Sequence, residues 1–155
     1  MTDQERDSLK ANIISFCKTQ LENRITQCQE QMRLAQEAAN EEEKSSAGDK
    51  YETSRAMNQL NKDMYARQVI ENQEELSLFL SFVKQESSET IKPGNLVDCD
   101  KIIFFIAVGL GKMDFEGRTL VVLSPSAPLA KNLIGKRVGE SLVFNNSRYQ
   151  IIGIS

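Results

Sequence analysis

The sequence predicts an α+β fold, in which an N-terminal antiparallel α-helical coiled-coil hairpin precedes a small β-sheet domain with one short helix. The first observation is the placement of helix breakers, because all three prolines and seven of the eight glycines lie at or after position 93. The second is charge: residues 1–92 carry 17 acidic and 12 basic side chains, whereas residues 93–155 carry 5 and 7. The third is that β-branched and aromatic runs crowd the second half. A chain of 155 residues therefore has two unlike halves.

Residues 1–85 are predicted to form the hairpin, with its turn near residues 44–49. More than 40 residues precede Gly48 without a glycine or proline, which cost about 1 and 3 kcal/mol inside a helix. A second stretch without either residue type follows Gly48. Helix, tight turn and helix is the simplest interpretation, with a length of roughly 55 to 60 Å for each arm.

Capping patterns mark where both helices of the hairpin begin. Thr2 and Glu5 form the pattern of a capping box, in which each side chain accepts a hydrogen bond from the other residue's backbone N–H. Gly48 supplies the residue type that ends helices in the left-handed region. Asp49 with Glu52 then repeats the capping pattern, so a second helix is expected to start there.

Apolar and small residues recur at steps of three and four along both arms, as in a coiled coil. We expect these residues to face the opposite arm. The first arm places Leu9, Ile13, Phe16 or Cys17, Leu21, Ile25, Cys28, Met32, Ala35 and Ala39 in this stripe. The second arm places Tyr51, Met57, Leu60, Met64, Val69 or Ile70, Leu76, Phe79, Leu80 and Val83 there.

The predicted tip of the hairpin is rich in carboxylates. Glu41, Glu42 and Glu43 precede the turn, and Asp49 follows it. One interpretation is a solvated charge run with an N-capping aspartate. The other is that the arm presents these carboxylates to a cation or a basic pocket of another molecule. Carboxylates suit Mg²⁺, but two or three on a bare tip bind it weakly unless another molecule completes the coordination.

The second half is predicted to be a domain at residues 95–155, joined to the hairpin by a linker at 86–94 that contains Ser-Ser and Pro-Gly. A short helix is expected at 128–134, and the Gly-Leu-Gly-Lys segment at 109–112 is expected to be a turn between strands. Strands are expected at 95–99, 101–110, 117–123, 141–144 and 149–154.

Composition excludes several classes of function. The chain has no histidine, so Ser-His-Asp, Cys-His and HExxH chemistry cannot be built from it alone. Cys17, Cys28 and Cys99 show no metal-ligand spacing, and we interpret them as buried thiols of a reducing cytosol. The net charge of −3 gives no reason to expect autonomous binding to duplex DNA. The longest apolar run has nine residues, so neither a membrane span nor a signal peptide is expected.

Segment 124–136, Ser-Pro-Ser-Ala-Pro-Leu-Ala-Lys-Asn-Leu-Ile-Gly-Lys, resembles the C-terminal signature of the bacterial Gre transcript cleavage factors, and Val-Gly-Glu at 138–140 extends the likeness. Tyr51 and Arg55, four residues apart, resemble the segment of that family close to its tip. The family joins an N-terminal coiled-coil hairpin to an FKBP-like domain, so the resemblance covers nearly the whole chain. It assigns partner contacts to Tyr51, Arg55, Ser124, Ser126, Ala127 and Pro128.

The resemblance implies a transcription elongation factor that acts on bacterial RNA polymerase in the cytoplasm. The globular domain would dock at the rim of the polymerase secondary channel, and the hairpin would enter it. Tip carboxylates of Glu41, Glu42, Glu43 and Asp49 would then help to hold a second Mg²⁺ near the RNA 3′ end. The protein would have no catalytic residue and no cofactor of its own, since the Mg²⁺ and the cleavage chemistry belong to the polymerase.

The tip departs from the family pattern at the acidic positions. Cleavage-active members carry an Asp-x-x-Glu pair, and the alignment on Tyr51 and Arg55 puts Lys44 and Ala47 there, neither of which binds a metal. Glu43 and Asp49 lie within one or two residues of those positions and are the candidates to replace them. Two functions stay open: stimulation of transcript cleavage, and occupation of the channel without cleavage. Ala127 also stands where the family motif usually has serine.

Two further classes of function remain as alternatives. An FKBP-like domain can be a prolyl isomerase, which needs a pocket lined by aromatic residues, and the candidates for that lining are Phe104, Phe105, Phe115, Phe144 and Tyr149. A coiled-coil adaptor is the other alternative. In that case the apolar residues at 76–83 would form a dimer interface instead of packing on the first helix.

Overall fold

A computed structural model describes residues 1–43, 48–86 and 88–155, and it describes side chains outside 42–51. Two long N-terminal helices pack against each other, and strands with one short helix follow them. The predicted class, α+β with a helical hairpin followed by a small sheet domain, is therefore confirmed. The long helices are α1 (Asp3–Glu43) and α2 (Gly48–Val83), and the short helix is α3 (Pro128–Leu133).

The predicted capping box opens α1. The backbone N–H of Thr2 donates to Glu5 Oε2 at 2.7 Å, and the backbone N–H of Glu5 donates to Thr2 Oγ1 at 3.2 Å. These bonds satisfy donors that no helical carbonyl can reach in the first turn. The capping pattern predicted at Asp49 and Glu52 involves a side chain outside the described set.

The chain divides into two compact units. The first, here called the sheet unit, comprises Met1–Cys17 and Leu78–Ser155. The second, here called the hairpin unit, comprises Lys18–Ser77. Both long helices contribute to both units, because packing partners change along each helix.

The sheet unit contains a five-stranded sheet and a two-stranded ribbon. The order of the five strands is β3-β4-β2-β1-β7; β2 and β4 are parallel, and the other neighbours are antiparallel. The ribbon is the antiparallel pair β5-β6. The strands are β1 (Leu96–Cys99), β2 (Ile102–Ile106), β3 (Gly111–Phe115), β4 (Arg118–Leu123), β5 (Ser141–Phe144), β6 (Ser147–Gln150) and β7 (Gly153–Ile154).

Strand β3 was not predicted and includes the last two residues of the turn predicted at 109–112, whereas the first two lie between β2 and β3 as expected. Gly111–Phe115 pairs with β4 at the edge of the sheet. Its sequence, Gly-Lys-Met-Asp-Phe, is low in β-branched residues, and its side chains are exposed or half-buried. Because an edge strand is held by backbone bonds to one neighbour, such a strand leaves little hydrophobic pattern in the sequence.

The core of the sheet unit is built around β2, whose five residues are all buried. On one side of the strand, Phe105 meets Phe79 of α2 edge to face, with ring centroids 6.4 Å apart. On the other side, Phe104 meets Phe144 at 5.6 Å. Residues buried with Phe104 include Ile91, Val97, Cys99, Ile102, Ile106, Val121, Ala130, Leu133, Leu142 and Ile151.

The predicted linker is tied into the sheet unit at its C-terminal end. Ile91 is fully buried, and its N–H donates to the carbonyl of Lys136 at 2.9 Å. Gly94 has φ of 94° and donates to the carbonyl of Ile106. A Cβ at Gly94 would lie 2.2 Å from the carbonyl oxygen of Phe82, so only glycine allows the chain to pass this close to the end of α2.

The hairpin unit holds α1 and α2 side by side in antiparallel directions. Arg24 pairs with Glu75 at 3.7 Å. One turn further along α1, Cys28 Sγ accepts a hydrogen bond from Asn72 Nδ2 at 3.4 Å and lies 3.7 Å from Gln68 Oε1. The stripe predicted on α1 is inward-facing, with Leu21 and Ala35 buried and the others half-buried. The buried members within the sheet unit are Leu9, Ile13 and Cys17.

The stripe predicted on α2 is wrong in its first half. Met57, Leu60 and Met64 are exposed, whereas Phe79 and Val69, the latter offered as an alternative to Ile70, are buried as expected. The half-buried positions in the first half are Ser54, Asn58, Lys62 and Tyr65, which lie at heptad steps before Val69 and Asn72. The apolar residues in the C-terminal half of α2 thus decide which side of the helix faces α1. In the first half, that same side carries polar residues.

Candidate functional site

The acidic end of α1 is the first candidate site. Glu41 is exposed, and Glu42 and Glu43 belong to the last turn of α1 by their backbone. Asp49 belongs to the first turn of α2. The side chains of Glu42, Glu43, Asp49 and Tyr51 fall outside the described set, as do Lys44 and Ala47 altogether. The predicted cluster of carboxylates therefore stays a prediction, with Glu41 as its described member.

Arg55 is the described member of the pair that resembles the tip-proximal segment of the Gre family. It is exposed on α2 and lines a shallow cavity of about 430 Å³ together with Glu52, Ala56 and Gln59. The guanidinium and the Glu52 carboxylate lie one helical turn apart in sequence. This surface presents both charges to solvent and suits polar contacts with a partner.

Segment 124–128 forms a tight turn that leads into α3. The N–H of Ala127 donates to the carbonyl of Ser124 at 3.0 Å, and the two hydroxyls of Ser124 and Ser126 lie 2.9 Å apart. Ala127 is the N-cap with φ of −63° and ψ of 143° and offers no side-chain cap to α3. Pro128 follows at the first helical position, where its missing N–H leaves no donor unpaired.

The partner-contact residues assigned to this segment differ in exposure. Ser126 and Pro128 are exposed, whereas Ser124 and Ala127 are half-buried. Ala130 and Leu133 of α3 are fully buried in the core of the sheet unit. The segment is therefore rigidly seated, with the exposed pair free for contact.

Three exposed apolar side chains of the sheet unit were missed by sequence reasoning. Val138, Val143 and Ile152 are among the most exposed large apolar side chains. Val143 is the register partner of Arg148 in the β5-β6 ribbon, so a guanidinium stands opposite it. The alternation of buried Leu142 with exposed Val143 is the signal that marks this ribbon as one-sided.

The anchor between α1 and the sheet was also missed. The guanidinium of Arg6 is nearly buried; its Nε and Nη2 lie 3.4 Å from Oδ2 of the fully buried Asp98, and Nη1 lies 2.6 Å from Oδ1 of the exposed Asp3. Asp98 Oδ1 also accepts the N–H of Asp100 at 3.0 Å. Gly153 leaves room for Arg6, because a Cβ there would lie 2.1 Å from the guanidinium carbon. The signal in the sequence is Arg6 itself, which stands on the inward stripe of α1 three residues before Leu9.

Titratable groups of the sheet unit are perturbed by local causes. The Thr2 backbone and hydroxyl hydrogen bonds lower the pKa of Glu5. Burial lowers the pKa of Lys10, and Asp7 opposes that shift. Burial raises the pKa of the Cys17 and Cys99 thiols to about 12. Both thiols are consequently protonated near neutral pH and are poor nucleophiles.

The aromatic residues named for an isomerase pocket pack against other residues of the sheet unit. Phe104 and Phe105 are fully buried, and Phe115 packs edge to face on Phe16 of α1 at 5.5 Å. Phe144 packs on Phe104. The apolar residues at 76–83 named for an adaptor interface include Phe79, which is buried within the chain itself.

Among the residues whose side chains the structure describes, 1–41, 52–86 and 88–155, no group of three or more His, Cys, Asp and Glu residues is placed to hold a metal ion. No helix of that same part of the chain is long and apolar enough to cross a membrane.

Comparison of the chain with known proteins gives no assignment. No family model matches the sequence, and a search of curated proteins finds no significant match. The functional interpretation therefore rests on the residues and contacts described above.

Proposed function

We propose that the protein is a Gre-like factor that binds bacterial RNA polymerase in the cytoplasm and modulates its active centre by inserting the hairpin into the secondary channel. The polymerase is the enzyme in this scheme. The factor contributes the shape and charge of its hairpin and contacts the RNA 3′ end only indirectly. The Mg²⁺ is held by the polymerase.

The observation that carries the proposal is the architecture. Two antiparallel helices of 41 and 36 residues precede a small α+β domain, the same order of parts that the Gre resemblance implies. Residues 18–43 and 48–77 of these helices lie in the hairpin unit, and at 1.5 Å per residue they are roughly 40 to 45 Å long. An arm of this kind is suited to reaching into another molecule.

The turn at 124–128 supports the same proposal. Its exposed Ser126 and Pro128 lie on a segment held by the core through α3, so the contact surface keeps its shape without a partner. A preformed surface binds with a smaller loss of conformational entropy than a mobile one.

Channel occupation without cleavage is the branch that the sequence favours. Lys44 and Ala47 stand at the family's acidic positions, and a lysine there opposes a second Mg²⁺. Glu43 and Asp49 are the residues on which cleavage stimulation would depend. Glu41, exposed and within the last turn of α1, is the described carboxylate nearest to Glu43 in sequence, and the exposed Glu52 is the nearest to Asp49.

Binding to bacterial RNA polymerase core enzyme is the first test. The folded full-length chain, immobilised at one end, is expected to capture the core enzyme, and free factor should compete. Replacing Ser126 and Pro128 together with lysine and alanine should weaken capture, whereas replacing Lys112 with alanine, an exposed residue of β3, should not. Failure of the folded wild-type chain to bind any bacterial core enzyme tested would overturn the proposal.

Transcript cleavage in stalled, backtracked complexes with Mg²⁺ separates the two branches. A channel occupant is expected to slow nucleotide addition without shortening the RNA. If the RNA is shortened, Glu43→Ala with Asp49→Ala should abolish the effect. The matched control is Glu71→Ala with Glu74→Ala, which removes two exposed carboxylates from the middle of α2.

A further inference from the structure

Helix α2 carries two lengthwise stripes of residues in the hairpin unit. Two members of the second stripe directly precede two members of the first in the sequence. The inner stripe consists of Ser54, Asn58, Lys62 and Tyr65, which are half-buried. The outer stripe consists of Met57, Leu60 and Met64, whose exposed fractions are 54%, 64% and 42%. Steps of three and four relate the members of the outer stripe, so it has the spacing of a coiled-coil seam while facing away from α1.

The inner stripe is polar although it lies in the seam, and the outer stripe is apolar although it is exposed to water. The seam holds an amide, an ammonium stem, a hydroxyl and a phenol, whereas two methionines and a leucine lie in water. Asn58 Nδ2 is buried and has no hydrogen-bond partner among the described residues. A buried donor without a partner destabilises the state that contains it.

A shift of one residue would bring the two methionines of the outer stripe into the seam. Met57 precedes Asn58 and Met64 precedes Tyr65, so sliding this part of α2 by one residue rotates it by about 100° and moves it by about 1.5 Å. Met57 and Met64 would then occupy the places of Asn58 and Tyr65. Leu60 would take the place of Asn61, which is exposed, and the Asn58 amide would take the exposed place of Gln59.

The C-terminal half of α2 fixes where such a shift must stop. Val69 is buried, and Asn72 and Glu75 are bonded to Cys28 and Arg24 of α1. Between Met64 in the place of Tyr65 and an unmoved Val69, the helix must hold one extra residue. A single π-type turn accommodates one extra residue inside an α-helix.

We propose that residues 52–64 of α2 have two registers against α1, the described one and one shifted by a residue that brings Met57 and Met64 into the seam. The hairpin unit is then a two-state element, because packed seams adopt discrete arrangements rather than intermediate ones. A partner that contacts this part of α2 in one register shifts the population towards it. This inference concerns the chain alone and holds whether or not the partner is a polymerase.

Disulfide trapping can tell the two registers apart. Cys28 of α1 lies against Gln68 and Asn72 of α2. Because the helices are antiparallel, Ala35, seven residues further along α1, is expected to lie against Asn61 and Tyr65, seven residues back along α2. Ala35→Cys with Tyr65→Cys therefore reports the described register. Ala35→Cys with Met64→Cys reports the shifted one. Ala35→Cys with Asp63→Cys is the matched control, because Asp63 faces outward in both.

The experiment uses the full-length chain with Cys28→Ser, in a glutathione redox buffer, with peptide mass mapping of the disulfides. Circular dichroism confirms that each variant is helical before oxidation. The Tyr65 and Met64 pairs should both form, and the Asp63 pair should form more slowly than either, because its side chain points away from Ala35 in both registers. A Met64 pair that forms no faster than the Asp63 pair overturns the proposal. Equal formation of all three pairs also overturns it, because that result indicates unspecific opening.

A second set of variants tests the cause. Adding Met57→Gln to the Met64 pair should slow its disulfide on the order of tenfold, since the shifted seam loses an apolar side chain, whereas adding Leu60→Gln should have little effect, because Leu60 is exposed in both registers. The same two changes should leave the Tyr65 pair unaffected, because both side chains are exposed in the described register. Asn58→Leu should also slow the Met64 pair. If Met57→Gln and Asn58→Leu leave the Met64 pair unchanged, the outer stripe does not drive a shift and the proposal fails.

Discussion

The sheet unit and the hairpin unit use the same two helices in different ways. In the sheet unit, α1 and α2 contribute fully buried residues such as Ile13 and Phe79, and even the inward-facing charge of Arg6 has a buried partner. In the hairpin unit the seam is mostly half-buried, and the buried amide nitrogen of Asn58 lacks a partner among the described residues. The difference shows that a continuous helix need not be equally well packed along its length. Both helices run through the two units, but their residues are more deeply buried in the sheet unit.

Loss of the buried ion pair should have the largest effect on the sheet unit. Asp98→Ala leaves the guanidinium of Arg6 nearly buried beside an apolar group, and breaking a buried pair in this way costs about 3 to 5 kcal/mol. The free energy of unfolding, measured by chemical denaturation with tertiary fluorescence or NMR signals of the sheet unit, should fall by that amount. Asp3→Ala removes the exposed partner of Arg6 and should change stability far less. Equal effects for the two variants would contradict the assignment of the anchor to Asp98.

Gly153→Ala tests the same anchor from the other side and should have an intermediate effect. The added Cβ would lie 2.1 Å from the Arg6 guanidinium, which must move away from Asp98. Overpacking of this kind costs about 1 to 3 kcal/mol. In combination with Arg6→Leu the loss should be less than additive, because the clash has been removed. Full additivity of the two free-energy changes would mean that the space at Gly153 is unrelated to Arg6.

The same substitution at two cysteines compares the two parts of the helices directly. Cys17→Ser places a hydroxyl in a fully buried site and should destabilise the protein by about 1 to 2 kcal/mol. Cys28→Ser should be close to neutral, because Asn72 and Gln68 offer the hydroxyl a donor and an acceptor. Denaturation of both variants under reducing conditions measures the difference. Similar losses at the two sites would remove the contrast between the units.

The smallest effect is expected at the exposed start of α1. The pKa of Glu5 is lowered by hydrogen bonds from Thr2, so its carboxylate stabilises the fold above the pKa of the unfolded chain and loses that contribution as pH falls through the folded pKa. Glu5→Gln should flatten the stability profile slightly at acidic pH. Amide exchange at Glu5 and Arg6, followed by NMR as a function of pH, measures this local change. A profile identical to wild type would show that the capping box adds nothing measurable.

Much of the fold follows from the sequence because its signals are local. Glycine and proline placement identified both long helices, and the Thr2 and Glu5 pattern identified the start of α1. Pro128 marked the start of α3. These features depend on a few neighbouring residues, so no tertiary information was needed.

What was missed depends on contacts between distant residues. The apolar spacing of Met57, Leu60 and Met64 indicated an inward face, but the C-terminal half of α2 sets the phase of the helix and turns them outward. Edge strand β3 has backbone partners without a hydrophobic pattern. The pairing of Arg6 with Asp98 joins residues 92 positions apart, which no local pattern encodes. The carboxylates of Glu43 and Asp49 stay a sequence prediction.

The bond between Arg6 and Asp98 also bears on how the protein is made. A ribosome that adds about 5 to 20 residues per second needs roughly 5 to 20 seconds to make the chain between these two residues. Throughout that interval the first turns of α1 lack the sheet on which they will pack, and all of the hairpin unit emerges in between. The inward face of those turns, with Leu9 and Ile13, is then open to chaperones and to other nascent chains. The first turns of α1 are therefore synthesised well before the strands that bury them.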